Sequence, residues 1–124
     1  MALPDPPLSI GNLKILGRTA RERLTGHRSL TVWLYGLSGS GKSTLATALE
    51  RTLHNEGRLT TLLDGDLLRT GLNAGLGFTD DDRRENVRRA AEVARLFNQT
   101  GVIAVCSFIT PRRALRPGPA NCGR

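Results

Sequence analysis

Cysteine is scarce in this chain: two residues in 124, Cys106 and Cys122, cannot form a disulfide framework, so a fold must rest on a packed core. Aromatic residues are scarce as well, one Trp, one Tyr and three Phe, which argues against a nucleic-acid-binding surface built on stacked rings. Long apolar runs are missing. The longest, around residues 32–37 and 102–106, are far too short to span a bilayer. The opening stretch MALPDPPLSIGN has no basic n-region and no apolar h-region, so no secretory signal is expected and the chain reads as cytoplasmic, without a membrane partner. Acid is in deficit too, with 11 Asp and Glu against 18 Lys and Arg, a formal charge of +7. Residues 111–124 carry four arginines and no acid, so that tail holds +4 and the rest of the chain only +3. A basic excess raises nucleic acid as a partner. Here it sits largely in a segment without folding signals, and nucleic acid is the weaker expectation.

The remaining composition is that of a globular protein. Hydrophobic residues make up 39% and charged residues 23%, and the length suits one domain. Residues 1–29 read as a lead-in in which residues 19–24 could form a short basic helix. Residues 30–35 (LTVWLY) read as a buried strand. Residues 42–55 place Leu45, Ala48, Leu49 and Leu53 at helical spacing, with Gly57 as the stop. Residues 59–63 repeat the strand pattern and close on Asp64-Gly65-Asp66, followed by a Gly- and Asn-rich loop through Phe78. Thr79, with Asp82 three residues on, predicts a capped helix whose apolar stripe is Val87, Ala90, Ala91, Ala94 and Phe97 and which ends at Gly101. Residues 102–108 predict a third buried strand. Strand, helix, strand, helix, strand is the order of a parallel α/β sheet with flanking helices. Residues 30–110 therefore read as the core, and residues 111–124 as an irregular basic tail. About three strands make a thin, incomplete sheet, which predicts a truncated or frame-disrupted version of a longer domain, marginally folded, with residues 102–108 left at an edge or half covered.

Between the first strand and the first helix stands Gly36-Leu37-Ser38-Gly39-Ser40-Gly41-Lys42-Ser43, a complete match to G-x-x-x-x-G-K-[ST]. Glycines let successive backbone N–H groups curl round a phosphate, and the following helix points its positive end there. Lys42 can reach the β- and γ-phosphates and the Ser43 hydroxyl can ligate Mg²⁺. The plain alternative, a Gly-rich turn, does not explain a lysine and a hydroxyl at those spacings. The motif points to nucleotide binding on a P-loop NTPase-type sheet, without naming a reaction.

Six segments in order extend the pattern: GLSGSGKST (36–44), LLDGDLLR (62–69), GLNAGLGF (71–78), DRRENVRR (82–89), EVARLF (92–97) and SFITP (107–111). Together they resemble adenylyl-sulfate kinase (APS kinase), from about Gly26 to Pro111. The resemblance implies transfer of the ATP γ-phosphoryl group to the 3′-hydroxyl of adenylyl sulfate, in sulfate activation, with Mg²⁺ as cofactor. It implies ATP binding by Gly36, Leu37, Ser38, Gly39, Ser40, Gly41, Lys42, Ser43 and Thr44. It implies adenylyl-sulfate binding by Asp66, Arg69, Phe78, Arg83, Asn86, Ile109 and Thr110, with Asp66, Lys42 and Thr110 as the catalytic set. Asp64, with Ser43, is placed toward magnesium. Taken alone, Asp64 and Asp66 would read as turn residues, Phe78 as a core anchor, and Arg83, Arg84, Arg88 and Arg89 as a solvated face with Glu85–Arg89 and Arg88–Glu92 pairs. His27 and His54 read as surface residues.

The sequence also departs from the family. Thr110 stands where the family carries a serine that becomes phosphorylated, Leu67 replaces the asparagine after DGD, and everything after Pro111 differs. A homodimer is compatible with the resemblance. Two rival functions are another small P-loop kinase acting on a nucleoside or sugar, and a non-catalytic remnant binding nucleotide or polyanions.

Overall fold

The computed structural model describes residues 9–36 and 41–109. The basic tail, Thr110 and the loop residues Leu37, Ser38, Gly39 and Ser40 lie outside the described residues. In chain order the elements are β1 (Ser9–Ile10), β2 (Leu13–Lys14), α1 (Arg18–Thr25), β3 (Thr31–Gly36), α2 (Lys42–Asn55), β4 (Thr60–Asp64), α3 (Gly65–Leu68), α4 (Asp80–Gln99) and β5 (Ile103–Ile109). The first two strands form a small exposed antiparallel pair. The other three form a parallel sheet in the order β3-β5-β4. No helix among the described residues is long and apolar enough to cross a membrane.

The last strand in sequence is thus the middle one in space. Residues 103–108 are all buried and only Ile109 is half-exposed. The expectation of an edge or half-covered position for this strand is therefore wrong. β3 and β4 flank it, with Leu34 and Asp64 both in register with Ser107. The flanking strand β3, expected to be buried, is only half-buried along its length.

Alternation along β5 sends Ala104, Cys106 and Phe108 to one face. There they pack with Leu63, Val87, Ala90 and Ala94, backed by Trp33, Leu68, Val93 and Phe97. The apolar stripe expected for α4 is this surface, and its side chains are covered rather than left without a partner. Both faces of β5 are buried, so α2 covers the opposite one. Its buried contact is Ala46, fully enclosed, while Leu45 is 57% exposed. The predicted stripe of Leu45 and Ala48 is thus out of phase: a small side chain lets the helix sit close to the strands, with Leu49 and Leu53 half-buried on its flanks.

Polar contacts fasten α1 and the end of α4 to the sheet. The buried Asn98 amide donates to Leu30 O at 3.0 Å and Val102 O at 2.9 Å, and its Oδ1 accepts from the Thr31 hydroxyl at 2.7 Å. Glu22 Oε2 accepts from the Ser29 N–H at 2.6 Å and from Arg18 Nε at 3.2 Å. The Ser29 hydroxyl lies 3.0 Å from the same oxygen and 2.7 Å from Asn98 O. Burial pushes the Glu22 carboxyl up, but the Ser29 hydrogen bonds and the Arg18 guanidinium outweigh it and hold it below the ordinary carboxylate value. His27, expected on the surface, is half-buried and takes the Leu59 N–H on Nε2 at 2.9 Å, joining the lead-in to the start of β4.

Candidate functional site

The carboxyl ends of β3, β4 and β5 face the same edge, where ligands of open α/β sheets bind. β3 ends on Gly36, and α2 begins with Lys42 after Gly41, whose φ of 83° is a left-handed conformation that favours glycine. Lys42 projects into a cleft at this edge, whereas Ser43 and Thr44 sit on the exposed first turn and do not line it.

β4 ends on Asp64, and the DGD segment turns directly into the short helix α3. The Asp64 carboxylate caps it, Oδ1 accepting from the N–H groups of Asp66 at 3.0 Å and Leu67 at 3.2 Å. Asp64 thus serves as the cap of α3 with one oxygen, and its second oxygen makes no hydrogen bond among the described residues. Gly65 is buried against the core: a Cβ there would lie 3.0 Å from Phe108 Cδ1. That close packing holds the next residue, Asp66, at the cleft with its own carboxylate uncommitted among the described residues.

The loop before α4 supplies the aromatic part. Phe78 is 65% exposed, so it is no core anchor. The Arg69 guanidinium lies 4.1 Å from its ring centroid and that of Arg83 lies 5.6 Å away. Arg83 Nε also donates to Phe78 O at 3.0 Å. Thr79 caps α4 as expected, its hydroxyl accepting from the Asp82 N–H at 3.1 Å, but Asp82 returns its carboxylate to Gly77 N at 2.8 Å rather than to Thr79. That bond pins the loop beside Phe78.

Asn86 is buried beneath the cleft, and its side-chain oxygen accepts from the Asn73 amide, itself fully buried. The sequence motifs alone do not single out Asn73. The available signal was an asparagine in an otherwise Gly- and Leu-rich loop, where a buried amide needs a partner. Arg88 and Arg89 both bind Glu85, at 2.7 Å each, and hold its carboxyl down to about 2. The expected pairing of Arg88 forward to Glu92 is replaced by this backward one, in which the guanidinium meets Glu85 with two hydrogen bonds. Arg84 pairs with Asp81. Only Arg83 of the four arginines lines the cleft.

One cleft thus brings together Lys42, Asp64, Asp66, Arg69, Phe78, Arg83, Asn86 and Ile109, drawn from the starts of α2 and α3, the loop, α4 and the end of β5. Among the described residues three buried side-chain polar atoms lack a hydrogen-bond partner, Trp33 Nε1, Arg69 Nε and Ser107 Oγ, and Arg69 and Ser107 line this cleft. Cations, carboxylates and an exposed ring around one opening suit a nucleotide carrying negative charge.

The family model for adenylylsulphate kinase matches residues 28–120. The chain belongs to the adenylylsulphate kinase family. The match runs on past Pro111, where the motif resemblance stops. An adenylyl-sulfate kinase of Phocaeicola vulgatus is 52% identical over 103 residues, covering 83% of this chain and 50% of that protein. One of Clostridium kluyveri is 55% identical over 97 residues, covering 78% of this chain and 49% of that protein. The Mycobacterium tuberculosis APS kinase CysC, solved in complex with AMPPNP and APS, superposes with a TM-score of 0.68 at 48% identity, over 71% of this chain and 51% of that one. The chain spans about half the length of the curated adenylyl-sulfate kinases it matches.

Proposed function

We propose that this protein binds MgATP and adenylyl sulfate and transfers the γ-phosphoryl group to the 3′-hydroxyl of adenylyl sulfate. The observation that carries the reading is the convergence on one cleft of Lys42, from the phosphate-loop motif, with Asp66, Arg69, Phe78, Arg83 and Asn86. In the proposed reaction the 3′-oxygen bonds to the γ-phosphorus, the bond from that phosphorus to the β–γ bridging oxygen breaks, and ADP leaves. Asp66 orients the hydroxyl and takes its proton, for which its uncommitted carboxylate is suited. Lys42 meets the phosphate chain of ATP. The exposed Phe78 ring offers a stacking face for adenine, and Arg69 and Arg83 beside it offer charge to the phosphosulfate. Ile109 and Asn86 also line the site. Thr110 keeps a hydroxyl for hydrogen bonding to substrate, and in-line transfer needs no phosphorylated intermediate on it.

Magnesium fits this donor set. No group of three or more His, Cys, Asp or Glu among the described residues could hold a metal alone. Mg²⁺ keeps waters and phosphate oxygens and takes few protein ligands, so the Asp64 oxygen that makes no hydrogen bond among the described residues, at the cleft, is the donor that suits it. Asp64, through its second oxygen, would hold the ion from within the cleft, whereas Ser43, which the motif also offers, lies outside the cleft lining. When bound it would neutralise charge on the β- and γ-phosphates.

Formation of 3′-phosphoadenylyl sulfate from MgATP and adenylyl sulfate tests the reading, alongside titration of adenylyl sulfate, nucleosides and sugars. We expect the phosphorylated product, and binding of adenylyl sulfate ahead of the others. Lys42→Ala should weaken triphosphate binding with an unchanged circular dichroism spectrum. Preferential binding of a nucleoside or sugar would replace adenylyl sulfate with that class of acceptor. Unchanged triphosphate affinity in Lys42→Ala would remove the phosphate loop from the site.

A further inference from the structure

Ser107 sits in the middle of the central strand, within the run Ile103–Ile109, where every other side chain is apolar or a thiol. It is 1% exposed, and its Oγ meets no hydrogen-bond partner among the described residues. A buried hydroxyl left in that state lowers the stability of the free protein, and alanine would fill nearly the same space without that cost. Buried polar atoms without a partner call for an explanation, and a missing ligand is one with physical content.

Position identifies the ligand's chemistry. Alternation along β5 puts Ser107 on the face opposite Cys106 and Phe108, which pack beneath α4. It therefore lies on the face covered by α2, the helix that starts at Lys42. It lines the same cleft as Lys42 and Asp64, and Asp64 is its register partner on β4. The carboxylate in register with it does not take its hydrogen, since Asp64 Oδ1 is occupied by the Asp66 and Leu67 N–H groups and no bond joins Ser107 to the other oxygen. A donor in a cleft that the Lys42 side chain also lines, with no acceptor among the described residues, suits an anion whose oxygens only accept.

We propose that the Ser107 hydroxyl is a ligand-binding contact of the cleft, donating its hydrogen to a phosphate oxygen of the bound nucleotide. This rests on the reading of the cleft as a nucleotide-phosphate site. The phosphate comes from the triphosphate or from adenylyl sulfate; the chemistry is the same, and separate titrations distinguish them.

The test compares wild type with Ser107→Ala in two measurements. In ligand-free protein the variant melts at the same temperature or higher, because an unpaired hydroxyl has been removed. In calorimetric titrations its affinity for one ligand, AMPPNP with Mg²⁺ or adenylyl sulfate, falls roughly tenfold, about 1.4 kcal/mol, while the other changes little. The ligand that loses affinity is the one whose phosphate Ser107 meets. A lower ligand-free melting temperature would overturn the proposal, since the hydroxyl would then have a structural partner. Unchanged affinity for both ligands would overturn it as well, and would leave the functional reading standing. If the wild-type protein bound neither ligand, the functional reading and this proposal would fall together.

Discussion

Helix α4 buries an asparagine near each end, and the two amides are used differently. Asn98, at the carboxyl end, spends both groups on the protein: two donations to backbone carbonyls and one acceptance from Thr31. Asn86, toward the amino end, accepts from Asn73 with its oxygen, while its own N–H₂ makes no bond among the described residues and it lines the cleft. The same contrast holds for two buried serines. Ser29 is held by Glu22 and Asn98, and Ser107 by nothing among the described residues. Polar groups at one end of the sheet are satisfied internally and hold the fold. Those at the carboxyl edge are buried yet uncommitted, and such groups mark a site.

Substitutions at the two ends should therefore read out in different assays. The largest effect is expected at Asn98. Asn98→Ala removes three hydrogen bonds, the donations to Leu30 O and Val102 O and the acceptance from Thr31, which should cost about 3 kcal/mol and lower the melting temperature by several degrees; a drop of under one degree would show the network to be dispensable. Next comes Asp66→Asn. Its side chain holds nothing in the fold, since Asp64 is the cap, so the melt should not move. An amide cannot accept the proton, and turnover should fall at least ~100-fold, about 2.7 kcal/mol of barrier, with MgATP affinity unchanged; a loss under about threefold would leave Asp66 as a structural residue only.

Phe78→Ala sharpens the comparison from the exposed side. At 65% exposure the ring contributes little to the core, so stability should change by less than ~0.5 kcal/mol. Adenylyl-sulfate affinity should fall roughly tenfold, about 1.4 kcal/mol; a large loss of stability with unchanged affinity would reverse the assignment. The smallest effect concerns pH. The hydrogen bonds from Arg88 and then Arg89 hold Glu85 down to about 2, against an ordinary 4.5, and Glu22 is also lowered. A carboxyl depressed in the folded state adds stability that is complete above pH ~4.5 and is lost as pH falls through the folded value. Denaturant unfolding between pH 5 and about 2 should show that decline, and Glu85→Gln should flatten it slightly, since exposed pairs are screened by solvent. A slope unchanged in the variant would show that Glu85 carries none of it.

Much of this could be read without coordinates. The phosphate-loop spacing from Gly36 to Ser43 is a local code, because chain connectivity alone places Lys42 at the start of a helix that follows a strand. The Thr79 cap, the limits of α2 and the apolar stripe of α4 are local too, set within a few residues by hydrogen-bonding side chains and helical period. Other features depend on which strands become neighbours. Insertion of β5 between β3 and β4 decides that Ile103 to Phe108 are enclosed, that Ser107 lies beside Asp64 in an apolar run, and that Ala46 rather than Leu45 faces the sheet. It brings Lys42, Asp66 and Phe78 to one opening although 24 residues separate the first from the second and 12 the second from the third. Those are contacts between segments distant in sequence. They are determined by how helices and strands pack once formed, and no local pattern encodes them.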